Sequence, residues 1–478
     1  MSPEHAITFA GGASATMLDP IVLCALIIAV ILIFLLARKY VILPVLCMMF
    51  LVPGGEQLFL GGVHLYIFRI VILVGLFRML WTKLSSQTPI LSGGINSIDR
   101  AFILCTICEA CAVVLLFASG SAVINQFGFL VDYLGGYFLL RFLIRDEDDI
   151  YRTVKCLGFV ALIVGACMAM ENVTLHNVFA SIGGQAIPEI RDGRVRSQGP
   201  FEQELMAGAF GATLLPLCLL LWKSERAKVA AACGLVGAVL MTWTSNSSTS
   251  LLSFGAGILA ILFWPIRKSM RTVRWGIVIG LIALQLVMKA PIWYVIAHID
   301  LTGGSSSYHR AELINQFIIH FSDWWLMGIT ATGSWGLDMW DAQNQFVNVG
   351  VTGGLLALIL FIAMICRSFR ELGNARKAVE GDAKKEWLLW FLGAALFSHI
   401  VTFFGVNYFD QTKFVWFALL AMITAATVPV HQTSEVLERR ANVAYSSAGW
   451  AYSSQSRSRS MATRADQKAR AQLKSTIS

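Results

Sequence analysis

The sequence predicts an all-α membrane protein of about 12 to 13 transmembrane helices, with two long loops on its outer face, near residues 171–204 and 293–344. Three observations carry this. The 478 residues are 56% hydrophobic and only 14% charged, against roughly a quarter charged in soluble domains, and the mean hydropathy is +0.67. Apolar runs approaching the roughly 20 residues of a bilayer crossing recur along nearly the whole chain. Lys and Arg gather in alternate connections, as they do on the cytoplasmic side of membrane proteins. Long unalternating runs exclude an outer-membrane barrel. The net charge of +8 is spread over short clusters between the runs, so no nucleic-acid partner is implied.

In chain order, residues 1–17 form a short outer segment with no cleavable signal: the first eighteen residues hold no Lys or Arg, and the small residues Gly11 to Ala15 precede the apolar run instead of following it. Thirteen apolar runs follow, near 18–37, 40–53, 65–82, 101–118, 126–144, 154–170, 205–222, 228–244, 249–266, 274–293, 345–366, 387–405 and 413–430. Basic residues mark every second connection: Arg38 and Lys39; Arg78, Lys83 and Arg100; Arg141, Arg145, Arg152 and Lys155; Lys223, Arg226 and Lys228; Arg267, Lys268, Arg271 and Arg274; and Arg367 to Lys385. This pattern places the N-terminus outside and the C-terminus in the cytoplasm. The remainder, 431–478, is rich in Ser, Ala, Arg and Gln; it is predicted to be a disordered basic tail, open to anionic membrane lipids.

The ten cysteines lie mostly inside apolar runs and imply no disulfide framework. Cys105, Cys108 and Cys111 have the spacing of part of an iron–sulfur run, but inside a spanning helix this spacing reads as a packing stripe. Arg69, Glu109 and Asp132 lie within runs, where charge is costly and marks function by default. Arg69 either snorkels to the interface or binds a ligand, while Glu109 and Asp132 suit an ion pair or a proton path. Phosphate-loop, dinucleotide, zinc-peptidase and nucleophile-elbow motifs are all missing, and His298, His309 and His320 form no convincing metal set.

The longest polar interruption runs from Asp300 to Gly354. A Gly-Ser run, Thr302 to Ser307, precedes a helical pattern with His309, Arg310 and Glu312; then come Trp324, Trp325, Trp335 and Trp340, and the chain returns to an apolar run through Asp341 to Gln345. Arg191, Arg194 and Arg196 occupy the other outer loop, against the topology signal. Two readings stand for them: a bound anion held by guanidinium forks, or an ordinary solvated face with Glu189 and Asp192 as partners.

Three segments resemble the bacterial O-antigen polymerase and O-antigen ligase family of multispanning glycosyltransferases. Arg196-Ser197-Gln198-Gly199-Pro200-Phe201 is similar to that family's R-x-x-G-x-F entry into a span. Tyr308 to Glu312, followed by Trp324 to Ile329, resembles its Arg-bearing helix and tryptophan-glycine turn. Asp341 to Phe346, followed by Gly350 to Leu355, resembles its A-H-N-x-[YF] motif leading into a Gly-rich span. The resemblance implies a GT-C-like membrane domain over residues 18–430 and a transfer that needs no cofactor and no metal. The donor would be a polyprenyl-pyrophosphate-linked glycan, and the acceptor a sugar hydroxyl on a glycan or a lipid-linked glycan at the outer face of the inner membrane. It assigns Arg310, Arg196 and Gln343 to catalysis, and Arg191, Arg194, Asn344, His309 and Arg69 to substrate binding. The tryptophans either stack on sugar faces or form an interfacial belt. Gln343 stands where family ligases carry histidine, and it positions a hydroxyl without taking its proton. This favours a repeat-unit polymerase, or a member with another base such as Asp341, His309 or Glu312. The alternatives are an O-antigen ligase proper, a proton-coupled transporter that uses Glu109 and Asp132, and a non-catalytic assembly component.

Overall fold

The structure is a computed structural model that describes residues 16–60, 63–85, 89–298 and 306–428, with Ala465 alone beyond them. The chain divides into two units, Met1–Thr427 and Val428–Ser478. The expected disordered tail and nearly all of the N-terminal segment lie outside the described residues, as does most of the Gly-Ser run.

A helix falls on each of the thirteen apolar runs, and the large loop adds, besides a single helical turn at Phe321–Trp324, one longer helix. In order they are α1 (Pro20–Leu35), α2 (Arg38–Leu51), α3 (Ile67–Ser85), α4 (Ser97–Phe117), α5 (Gly120–Leu143), α6 (Glu147–Thr174), α7 (Glu204–Ser224), α8 (Lys228–Thr244), α9 (Ser248–Leu262), α10 (Met270–Val287), α11 (Ser306–Ile319, in the loop), α12 (Gln345–Ala378), α13 (Ala383–Phe403) and α14 (Thr412–Val428). Seven described helices are long and apolar enough to cross a membrane: α4, α5, α6, α7, α10 with its preceding turn, α12 and α13. The shortfall from thirteen has physical causes. The 14 residues of α2 rise only about 21 Å at 1.5 Å each; α3 carries Arg69, Arg78 and Lys83; and α1, α8, α9 and α14 are each 17 residues or fewer. The protein is thus a mostly helical, membrane-type chain, and α7 is the most enclosed of the seven, with 89% of its apolar window buried. Against it and each other, α6 and α8 pack closely: a Cβ at Gly158, Gly165 or Gly234 would press on the other helix's backbone at 2.9–3.0 Å. Small residues allow such close approach where apolar burial distinguishes protein from lipid only weakly.

The two ends of the bundle differ in chemistry. At one, basic connections are tied by ion pairs: Arg38 to Asp149 at 2.8 Å, Arg226 to Asp148 at 2.6 Å, and Arg267 to Glu386 at 3.0 Å. Nearby, Arg141 and Asp99 are fully buried and paired at 3.1 Å, with the Tyr137 hydroxyl also donating to Asp99. At the other end, the loops interlock. Asp19 N–H donates to Glu56, Gln411 Nε2 to the Pro200 carbonyl, and Glu202 N–H to Asp410.

The mostly helical architecture agrees with the all-α expectation, and its loops add a little strand. Two short antiparallel hairpins are present, β1 (Gln57–Leu60) with β2 (Val63–Tyr66), and β3 (Glu189–Arg191) with β4 (Arg194–Arg196). The second turns at Asp192-Gly193, both with positive φ (50° and 73°). Such a two-residue turn matches strand twist and suits an Asp-Gly pair.

Candidate functional site

The site begins at the second hairpin. Glu189 pairs in register with Arg196, and Arg191 with Arg194, so these four share one face while Ile190 and Val195 share the other. Beyond β4, the Arg196 to Phe201 segment is clamped from several helices. The Glu171 carboxylate accepts the N–H of Gln198 (3.2 Å) and of Gly199 (2.9 Å), Asn177 Nδ2 donates to the Gly199 carbonyl (2.8 Å), and Ser197 N–H reaches the Thr244 carbonyl (3.0 Å). Gly199 takes φ +58°, which costs glycine little and other residues more. The chain then enters α7, whose N-cap, Gln203, supplies no side-chain hydrogen bond.

The other wall comes from the large loop. Trp324 stacks on Phe317 (3.9 Å between rings) and its Nε1 donates to the Phe317 carbonyl; together with Leu313, Trp335, Met339, Val347 and Val351 they form a cluster that fixes α11 to α12. Helix α12 is broken at Gly354 (φ 74°, ψ −175°). The tryptophan-glycine turn docks into the break: Leu355 N–H donates to the Trp325 carbonyl at 2.8 Å and Ile329 N–H to the Val351 carbonyl at 2.7 Å. Gly328 lies so close to the α12 backbone that a Cβ there would collide with the Val351 and Thr352 carbonyls. Backbone groups freed by the break are thereby satisfied, which apolar surroundings require. Arg310, only 5% exposed, lies across Gly405; a Cβ at Gly405 would meet its Nε at 3.1 Å.

Between these walls is a cavity of about 390 Å³, within the 300–1,000 Å³ range of small-ligand sites. Arg191, Arg196, Gln198, Arg310 and Gln343 line it, together with Glu189, Glu202 and the start of α7 (Gln203 to Leu205). The lining is therefore mixed in charge and not purely cationic. Arg196 NH1 pairs with Glu204 at 2.8 Å and with Glu189 at 3.5 Å, so one partner named in the solvated-face reading is present in the cavity wall. These contacts fix the guanidinium while, among the described residues, its buried Nε has no hydrogen-bond partner, nor has Gln198 Nε2. Buried donors normally find an acceptor, and the N-terminus of α7 adds a positive dipole end at the same wall. An oxyanion satisfies all three. Gln343 Nε2 donates to Asp341 at 2.5 Å. Burial raises the Asp341 pKa, against the opposing pull of the Gln343 hydrogen bond, His309 and Arg310. Glu202, an exposed residue that also lines the cavity, is pushed up as well, by partial burial and then by the Asp410 carboxylate, with Lys413 acting in the other direction.

Not every residue singled out by sequence lies here. The two loops bring Arg191, Arg196, Arg310 and Gln343 together. Arg194 is exposed beside the hairpin turn and is not in the cavity lining. Asn344, 1% exposed, caps α12 by accepting the N–H of Phe346 and Val347 and donates to the Phe404 carbonyl. His309 Nε2 lies 3.4 Å from the Asp341 carbonyl, behind the wall. Arg69 forms a fork on Asp132, Nε to Oδ1 and NH2 to Oδ2 at 2.8 Å each, and its NH1 donates to the His64 carbonyl. That ion pair replaces both the snorkelling and the ligand-binding expectation. Asp132 sits in a π-helical stretch of α5, Val131–Gly135, and also meets Lys413 at 3.8 Å. Glu312 is committed to the Tyr294 hydroxyl (2.6 Å) and to Gln316 (2.7 Å), which lower its pKa. Trp324 and Trp335 are core residues, whereas Trp325 and Trp340 are exposed. Sequence reading missed Glu202, Gln198 and Glu204; the alternation E-I-R-D-G-R-V-R was a usable signal for the hairpin, but none marked Glu202.

A second, smaller void of about 40 Å³ lies inside the bundle, lined by Glu109, Tyr133, Gln345, Tyr408 and Lys413 among apolar side chains. Glu109 contacts Cys105 Sγ at 3.5 Å. Cys105 and Cys108 also face carbonyls of α12, at Ala357 and Gly353, so these two lie where α4 packs on α12, while Cys111 is exposed. Among the described residues, no three His, Cys, Asp or Glu side chains are grouped to hold a metal ion.

No model of a known protein family matches the chain, and no curated protein matches it.

Proposed function

We propose that the protein is a membrane glycosyltransferase of surface polysaccharide assembly. It polymerises, or transfers to a sugar hydroxyl, a glycan carried on polyprenyl pyrophosphate at the outer face of the bacterial inner membrane. In this reading the thirteen helices cross the bilayer in a GT-C-like arrangement, with the N-terminus outside, the C-terminus in the cytoplasm and the cavity open to the outer face.

The observation that carries the reading is the meeting of Arg196 and Arg310, from loops more than a hundred residues apart in sequence, on one cavity with a helix N-terminus and two buried donors. The chemistry asks for this. When an acceptor oxygen attacks the anomeric carbon, the bond to the diphosphate breaks and negative charge grows on the leaving oxygen. Donors fixed in advance in a site of low dielectric stabilise that charge more than water does. Glu204 and Glu189 hold the Arg196 guanidinium in place before substrate arrives. Gln343, with its amide nitrogen engaged by Asp341, offers its oxygen to a neighbouring hydroxyl of the acceptor sugar and so orients it. A glutamine here, where related ligases use histidine, favours repeat-unit polymerisation.

Replacing Arg310 with Ala at unchanged protein level tests the reading. Loss of one preorganised donor is expected to slow transfer by about 10²- to 10³-fold, seen as loss of long-chain surface polysaccharide in the source strain. Undiminished chain length contradicts it.

A further inference from the structure

We infer that Glu202 is the general base that takes the proton of the acceptor hydroxyl, with Asp410 as the residue that positions it. The inference rests on the glycosyl-transfer reading and deepens it.

Three carboxylates line the cavity: Glu189, Glu202 and Glu204. Glu189 and Glu204 both meet Arg196, at 3.5 and 2.8 Å, so both carboxylates are already engaged in holding that guanidinium. Glu202 makes no such ion pair among the described residues, and its backbone is fixed from outside the cavity. Its N–H donates to Asp410 Oδ2 at 3.2 Å, and Asp410 Oδ1 accepts the Thr412 N–H at 2.8 Å at the start of α14. On the other flank Gln411 Nε2 donates to the Pro200 carbonyl at 3.1 Å. One short segment, Asp410 to Thr412, therefore holds both sides of the Pro200 to Glu202 turn and leaves the Glu202 side chain to the cavity. The other candidate bases stand elsewhere: Asp341 is behind Gln343, while His309 and Glu312 are outside the lining.

The charged groups around Glu202 set its proton affinity. Burial raises it most, Asp410 from the loop before α14 raises it further, and Lys413 at the start of α14 lowers it. Glu189, Arg191 and Arg196 face the same cavity from the hairpin, Glu204 from α7, and Arg310 from α11. A carboxylate whose proton affinity is raised toward the working pH is a better base than an ordinary one.

The step balances without a further reactant. The acceptor O–H gives its proton to the Glu202 carboxylate as its oxygen forms the new bond to the anomeric carbon. The bond from that carbon to the diphosphate oxygen breaks, the electron pair leaves with the diphosphate, and Arg196 and Arg310 hold its charge. One glycosidic bond forms, one glycosyl phosphate bond breaks, and the proton on Glu202 passes to water after release.

The test uses full-length protein in lipid nanodiscs, with lipid-linked glycan extracted from source-strain membranes as substrate and undecaprenyl pyrophosphate as the binding probe. Glu202→Gln is expected to lower kcat by about 10²-fold or more, leave KM and probe binding unchanged, and abolish the acid limb of the kcat/KM profile. Glu202→Asp keeps that limb at a reduced rate. If Glu202→Gln retains both rate and acid limb while Arg196→Ala and Arg310→Ala lose probe binding and rate, the base assignment falls and the cavity reading stands. If the arginine variants also retain binding and rate, the functional reading falls with it. Should Glu202→Gln fail to bind the probe, Glu202→Asp decides: an acid limb displaced from the wild-type position supports the assignment, and an undisplaced limb overturns it.

Discussion

Arg196 and Arg69 are both arginines near the loop-bearing end, and the difference between them is a matter of partners. Arg69 spends its fork and its remaining nitrogen on Asp132 and the His64 carbonyl, whereas Arg196 keeps a buried Nε with no acceptor among the described residues. The first arrangement is structural and the second leaves a donor for a ligand. Sequence alone could not separate them, because Asp132 lies 63 residues from Arg69; such a pairing belongs to tertiary structure. Removing Arg69 leaves the buried Asp132 carboxylate only the more distant Lys413, at 3.8 Å, and breaking a buried pair costs up to about 3–5 kcal/mol. Arg69→Ala is therefore expected to lower thermal stability while undecaprenyl pyrophosphate binding at saturating probe is unchanged; loss of binding with undiminished stability would return Arg69 to the site.

At the scale of elements, two devices shape the cavity. The hairpin uses Asp192-Gly193 to reverse the chain and to bring Glu189 opposite Arg196. The break in α12 receives the turn that follows α11 and so fixes the helix that carries Arg310. Gly354→Ala places a Cβ at φ 74° against the Leu326 carbonyl, and a strained residue of this kind costs about 1–3 kcal/mol. The expected outcome is a lower melting temperature in detergent with reduced probe binding; unchanged melting would show that the break is dispensable. The helices were legible because a bilayer crossing demands a long local apolar run. The hairpin was legible in its alternation and Asp-Gly turn, yet it was passed over because the apolar composition of the chain dominates any reading of its short polar segments. The break was half legible: Gly353-Gly354 announces an irregularity, but not what docks into it.

At the scale of the whole molecule, the fold separates two chemistries. Ion-paired basic connections hold one end, while the loops at the other interlock around a cavity with Arg196 and Arg310 in its walls. The structure has acidic side chains interleaved with the arginines; Glu189 and Glu204 orient Arg196, and Glu202 is the one proposed for proton transfer. Every role proposed for these residues requires this cavity to hold the diphosphate of a lipid-linked glycan. The most direct measurement is a density map of the full-length protein in nanodiscs saturated with undecaprenyl pyrophosphate. The account predicts the diphosphate within hydrogen-bonding distance of both Arg196 and Arg310, beside the N-terminus of α7. A map with the cavity empty and the diphosphate bound elsewhere would contradict it.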